Sequence, residues 1–315
     1  MAARVQKVVF VYRKGAAGKG SKIMRCDQLA AICDAHGSGR YEYSTLMVPP
    51  LRSVSQMQDL VNQCRDAVVI LLKGAAHNFQ PDGMEALSKS ARGIAIDYVD
   101  GSVADCYSPF AGLHIASSYR GFVLLTNMLR ANKDPALLWM VHHHADPRFG
   151  LVSVDTQSEL RAAYLGRLNN TYIPELLQDK IAVPEYGKDS DFEKVVQHMR
   201  GYNLHYCVRN IGYGFRAGRA AAKPFTKGIN AAVLGANVIT TADSDDAVTY
   251  LGEDYPYLSP SQSDADIFET YRYAEESFGS DTWRNALARM AGVRAMTKPA
   301  AVARQLEKAL TTLLR

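Results

Sequence analysis

Lys223-Pro-Phe-Thr226-Lys227-Gly-Ile-Asn230-Ala-Ala-Val-Leu-Gly235-Ala-Asn-Val238-Ile-Thr-Thr241 decides how the rest of the chain is read. Two lysines and a threonine stand at its entrance, small and apolar residues fill its middle, a glycine turns it, and a β-branched run closes it. That order predicts a helix ending near Gly235 and feeding a buried strand. A helix start offers backbone N–H groups and the positive end of the dipole, and Lys223 and Lys227 add full charges there. A diphosphate suits such a place.

The chain has 315 residues, a length that fits two domains of ordinary size better than one core. It is 47% hydrophobic and 22% charged, the balance of a soluble globular protein. No apolar run reaches bilayer length, and Met1-Ala-Ala-Arg-Val-Gln-Lys7 passes directly into a strand-like run without the layout of a signal peptide. The expected location is cytoplasmic. The net charge of +4 suits anionic small molecules or loose contact with the inner face of a membrane, and equally nothing special. Lys and Arg are scattered, which argues against nucleic acid as a partner. Cys26, Cys33, Cys64, Cys106 and Cys207 are odd in number and lack a Cys-x-x-Cys pair, so they read as reduced thiols.

The opening stretch resembles the donor-sugar helix of the two-domain nucleotide-sugar glycosyltransferases of the GT-B class. In these a Pro-x-Lys or acidic loop opens a helix ending Ala-x-x-x-Gly-x-x-Val-Ile, here Ala231 to Ile239. Asn230 stands where many members place a glutamate that holds the ribose hydroxyls, and an amide also bonds a hydroxyl. Upstream, Tyr164-Leu-Gly166-Arg167-Leu168 is similar to the Tyr-x-Gly-Arg-Leu opening of the class's second domain. There the glycine lets the donor approach the backbone and the arginine reaches phosphate.

The resemblance covers 161–258 and, through alternating strands and helices alone, the first half. It implies an α/β chain of two Rossmann-like domains with a cleft between them: 1–152 on the acceptor side, 153–292 for the donor, and a C-terminal helix, 293–315, crossing back onto the first. The implied reaction moves a sugar from a nucleotide-diphosphate donor to a glycan, a lipid-linked glycan or a small molecule, as in polysaccharide biosynthesis. The implied donor residues are Gly166, Arg167, Arg209, Lys223, Thr226, Lys227 and Asn230, with neither cofactor nor metal expected. Two rivals share the architecture. One is a nucleotide-sugar epimerase; the other is a non-catalytic nucleotide-sugar-binding protein, which Asn230 in place of glutamate favours.

In the first half, Lys7 to Tyr12 predicts a strand, followed by the loop Gly15-Ala-Ala-Gly18-Lys19-Gly20-Ser21 and a helix near 23–35. Gly20 separates Lys19 from Ser21, so the Gly-Lys-Ser/Thr run of a P-loop is broken. Gly18, Lys19, Ser21 and Arg25 are candidates for substrate contact, or the loop is a plain turn. Apolar runs at 43–48, 67–73, 93–99, 113–117 and 137–142 alternate with helical stretches, which predicts a mostly parallel sheet covered on both faces. Ligands of such sheets bind beyond the carboxyl ends of the strands. Those ends bring His77, Asp97 and Asp100 forward as candidate general bases for an acceptor hydroxyl. Each also reads as a strand-end cap or turn residue, Asp100-Gly101 being an ordinary turn signal.

His142-His-His144-Ala-Asp146 invites a metal, but on an extended chain only His142 and His144 face the same way, and a closed site needs ligands from elsewhere. The segment instead resembles the one closing the first GT-B domain, which implies a histidine such as His144 lining the cleft. The linker is read at 150–160, with Ser153, Asp155, Gln157 and Ser158. Leu204 to Val208 predicts a strand ending in Arg209. Gly212-Tyr-Gly214-Phe-Arg216-Ala-Gly218 misses the dinucleotide fingerprint by one position and is read as a loop delivering Arg209, Arg216 or Arg219 to phosphate. The resemblance implies that the region of Asp243, Asp245, Asp246, Glu253 and Asp254 turns toward the sugar, and the acids alone read equally as a solvated loop. Helices are predicted over 264–291 and 300–314.

Overall fold

The computed structural model describes residues 5–50, 53–151, 155, 157–184, 192–210, 222–244 and 246–315. The loop with Gly212, Gly214, Arg216, Gly218 and Arg219 lies outside them, as do Ser153 and Asp245. The chain forms two compact units. One gathers Met1–His143, Ala220–Pro224 and Pro299–Arg315; the other His144–Arg219 and Phe225–Lys298.

The first unit is built on six parallel strands: β1 (Gln6–Arg13), β2 (Tyr41–Val48), β3 (Val68–Leu72), β4 (Gly93–Asp97), β5 (Leu113–Ala116) and β6 (Leu137–Met140). Their order is β2-β1-β3-β4-β5-β6. β3 reads Val-Val-Ile-Leu-Leu and is buried at all five positions, as a central parallel strand covered on both faces requires. Phe10, Val68, Ile70 and Ile115 pack on one face of the sheet, and Val11, Val69, Leu71 and Ile96 on the other.

The helix Pro299–Leu313 carries Val302, Leu306, Ala309 and Leu310 as one buried stripe on the first of these faces, beside Leu29 and Ile32 of the helix Leu29–His36. Each of the three large aliphatic side chains contributes about 1.5–3 kcal/mol by leaving water. Polar contacts fix the helix's register: the backbone N–H of His142 donates to Gln305 Oε1 at 2.9 Å, and the Tyr41 and Thr311 hydroxyls meet at 2.8 Å. The terminal helix thus completes the unit that begins the chain.

The second unit has five parallel strands: β7 (Ala162–Ala163), β8 (Ile181–Ala182), β9 (Leu204–Tyr206), β10 (Asn237–Thr241) and β11 (Leu258–Ser259), ordered β11-β10-β9-β7-β8. The opening stretch forms the helix Thr226–Val233 and then β10, which is buried throughout. Gly235, at φ +67, makes the left-handed turn between them, a conformation glycine adopts without steric cost. The run expected as one helix over 264–291 is two, Asp264–Glu276 and Asp281–Thr297, and Ser280 caps the second by accepting from the Trp283 N–H.

Both sheets follow one plan. Strand order reverses between the first and third strands of each, at β1/β3 and at β7/β9. The carboxyl ends at such a reversal are where open α/β sheets place their ligands.

Candidate functional site

At the β7/β9 reversal, the turn after β7 carries Tyr164, Leu165, Gly166 and Arg167, and the end of β9 runs on to Cys207, Val208 and Arg209. Gly166 has φ +149, a backbone region favouring glycine. A Cβ there would stand 2.7 Å from the Tyr164 hydroxyl and 3.5 Å from Lys227 Cε. The Lys227 ammonium lies 5.1 Å from the centre of the Tyr164 ring, within cation–π range. The Tyr164 hydroxyl donates to the Arg167 carbonyl at 2.9 Å and so closes the turn. Burial pushes the Tyr164 phenol up, and the nearby Arg209 charge opposes that shift. Gly166, Lys227 and Tyr164 therefore meet at one place.

Phe225 occupies the N-cap position of the helix Thr226–Val233, and its side chain holds no acceptor for the amides of the first turn. One turn further on is Asn230. Beneath Lys227 a small recess is lined by Leu165, His205, Tyr206, Cys207, Lys227 and Asn230. Two polar atoms buried in these walls, His205 Nε2 and Asn230 Oδ1, have no hydrogen-bond partner among the described residues. Burial pushes the His205 imidazole down to about 4, so the ring is neutral near pH 7. Sequence reasoning gave His205 no role and Tyr164 only a place in the Tyr-x-Gly-Arg-Leu motif, because their neighbours in space come from other strands. The residue pattern of β9 did place His205 in a strand, and the structure buries it there.

Other expected donor residues are more dispersed. Arg209 forms an antiparallel bridge with Thr171, and its carbonyl accepts from Gln262. Arg167 is exposed. Lys223 belongs with the first unit, where Ser118 Oγ donates to the neighbouring Ala222 carbonyl at 3.4 Å.

Within the first unit, Asp97 receives Arg25 Nε at 2.8 Å on one oxygen and the Val99 N–H at 3.2 Å on the other. The Asp97 side chain is 2% exposed and that of Arg25 is 0% exposed. The expectation of Asp97 as a base for an acceptor hydroxyl meets a carboxylate with both oxygens engaged and closed off from solvent. Asp100 pairs instead with Lys73 across the ends of β4 and β3 and stays partly exposed, and His77 meets the Asp105 carbonyl. Gly18 and Lys19 lie in the turn before the helical segment whose first residues are Gly20 and Ser21, and a Cβ on Gly18 or Gly20 would meet nothing within 4 Å. Lys19 is exposed at the N-cap of Gly20–Lys22. Openness, rather than close packing, is what these glycines provide.

His144 is fully buried, with Nδ1 2.7 Å from the Ala145 carbonyl, and His142 Nε2 lies 3.2 Å from the Tyr119 hydroxyl. Among the described residues no three His, Cys, Asp or Glu side chains come together as a metal would need. All five cysteines are buried and none forms a disulfide. No helix among the described residues is long and apolar enough to cross a membrane.

No protein-family model matches the chain, and neither does any curated protein sequence. Solved structures do. A glycosyltransferase from Rickettsia africae aligns over 98% of this chain and 99% of its own, with TM-score 0.67 and 11% identity. HepE of Anabaena, solved with UDP and also with UDP-glucose, aligns over 98% of this chain and 100% of its own; the UDP complex gives TM-score 0.64 at 13% identity. Sucrose-phosphate synthase from Thermosynechococcus elongatus gives 0.58 at 12% identity over 98% and 99%. The chain has the α/β fold of the GT-B glycosyltransferases along its whole length.

Proposed function

We propose that the chain is a glycosyltransferase that takes a sugar from a nucleotide-diphosphate donor, with UDP as the nucleotide carrier. The observation that carries this reading is the meeting of Lys227, Tyr164 and Gly166 at the β7/β9 reversal, beside the start of the helix Thr226–Val233. Full-length similarity to HepE, solved with UDP and UDP-glucose, supports the choice of donor.

In the transfer, the bond from the anomeric carbon to the β-phosphate oxygen breaks and its electron pair leaves with the diphosphate. The acceptor oxygen bonds to the anomeric carbon and gives up its proton. Lys227, Arg209 and the first-turn amides of Thr226–Val233 stabilise the charge growing on the diphosphate. Gly166 keeps the backbone bare for close approach, and Asn230 bonds a donor hydroxyl. Asp100 and His77 are the candidate proton acceptors, because each stands at a strand end where Asp97 is closed off. With cationic side chains meeting the diphosphate, transfer is expected without a divalent metal.

The test incubates the full chain with UDP-glucose and a panel of glycan, lipid-linked and small-molecule acceptors, and follows UDP release. A UDP concentration one hundred times its Kd should add about 2.7 kcal/mol of stability. If none of the common nucleoside diphosphates stabilises the protein, the proposal fails. Conversion of donor alone into a second nucleotide sugar would mark an epimerase, and binding without turnover a non-catalytic protein.

A further inference from the structure

The first unit has a strand-order reversal of its own, between β1 and β3, and basic residues meet there. The parallel register pairs Val11 with Leu71, and continuing it two residues sets Arg13 beside Lys73. Gly74 follows Lys73 with φ −77 and ψ 27, a conformation open to any residue. Sterics, not conformation, favour the glycine: a Cβ would stand 3.0 Å from His77 Cδ2 and 3.7 Å from Arg13 Nη1. The Gly74 backbone, itself buried, is thus held between a guanidinium and an imidazole. Lys73 Cγ lies 3.5 Å from where a Cβ on Gly101 would be, and the charges of Lys73 and Arg13 both act on the Cys106 thiol. The two cations therefore lie at the same end of the sheet.

The backbone supplies a second, independent observation. Lys73 has φ +52 and Val99 has φ +51, left-handed conformations unusual for any side chain and more so for a β-branched one. They lie just past the ends of the adjacent strands β3 and β4, and the Lys73–Asp100 pair joins the two turns. A partly exposed ion pair stabilises too little to offset two such residues. Strain of this kind is characteristic of ligand sites. Asp100, on Lys73, and Asp105, whose carbonyl meets His77, are the acids at this end, two carboxylates against the three cations Arg13, Lys14 and Lys73.

We propose that Arg13 and Lys73 bind the anionic group of the acceptor, a phosphate or a carboxylate, against the bare backbone at Gly74. The acceptor class is then an acidic or phosphorylated sugar, an assignment that rests on the glycosyl-transfer reading. Its anion draws Lys73 away from Asp100 and leaves that carboxylate available.

The test uses the full chain with UDP present at saturation, so that phosphate sites in the second unit are filled. Inorganic phosphate, glucuronate and neutral glucose are titrated separately at constant ionic strength set with chloride, and melting temperature is read. Wild type should respond to phosphate or glucuronate and not to glucose. A response to phosphate alone indicates a phosphorylated acceptor, one to glucuronate alone an acidic sugar, and either upholds the site. Arg13→Gln and Lys73→Gly should each raise the anion Kd about tenfold or more. Lys73→Gly should melt no lower than wild type, because glycine accepts φ +52. The idea is overturned if wild type shows no anion response beyond chloride, if both variants respond as wild type does, or if Lys73→Gly loses stability while anion binding is unchanged. A wild-type protein that ignores UDP would sink the donor reading instead, and the anion titration would still decide this site.

Discussion

Arg25 and Asp97 form an ion pair at 2.8 Å with both side chains closed to solvent, joining the π-helical turn Ile23–Gln28 to the end of β4. Arg25 also donates through Nη1 to the His142 carbonyl at 3.0 Å, so one guanidinium ties three segments of the first unit together. Removing one member of such a pair strands the other charge. Asp97→Asn or Arg25→Met should therefore cost about 3–5 kcal/mol, read from denaturant unfolding. The double variant Arg25→Met with Asp97→Leu should recover much of that loss, since it leaves no unpaired charge. A double variant as unstable as the sum of the singles would show that the pair is not the source of the effect.

Asp100 and His77 should behave differently from Asp97, because they lie at strand ends without being sealed. Replacing the true general base by Asp100→Asn or His77→Gln should lower kcat by about 100-fold or more while stability and UDP binding hold. The measurement is initial-rate kinetics beside a UDP titration of each variant. Equal kcat in wild type and both variants would leave the first unit without a base.

Lys227 and Gly166 are predicted to fail in separable ways. Lys227→Met removes a charge that strengthens as the diphosphate leaves, so kcat/KM should fall by about 100- to 1,000-fold with little change in melting temperature. Gly166→Ala forces a side chain onto φ +149 and into the Tyr164 hydroxyl, so it should cost about 1–3 kcal/mol of stability as well as UDP affinity. Isothermal titration with UDP and thermal melts separate the two outcomes. A Gly166→Ala protein with wild-type UDP affinity would remove the turn from the donor site.

Much of this architecture is legible in the sequence because its signals are local. The all-apolar run of β3, the helix Thr226–Val233 and β10 follow from residue type and spacing within a few positions. The two-residue strands β8 and β11 are too short to show any period, and the break at 277–280 lies in a sequence whose apolar spacing continues on both sides. The site is legible only in part. Lys227, Gly166 and Asn230 could be named from pattern, whereas the bond between Arg25 and Asp97 spans 72 positions and depends on tertiary folding. The left-handed backbone at Lys73 and Val99 has no residue signature, since neither is a glycine or an asparagine.

His205 should make the stability of the second unit fall in acid. Burial holds its imidazole neutral and pushes its folded pKa to about 4, below the value of about 6.5 for an exposed histidine. The unfolded chain therefore binds more protons between those values. The stabilisation is fully present above pH 6.5 and is lost as pH falls toward 4, amounting to roughly 3 kcal/mol at most. His205→Gln keeps a polar group in the recess and removes the titration, so its stability should fall less over that pH range than wild type's. Denaturant midpoints of both proteins at pH 7, 6, 5 and 4.5 give the comparison. Parallel curves for wild type and His205→Gln would mean that the buried imidazole is not the group that charges.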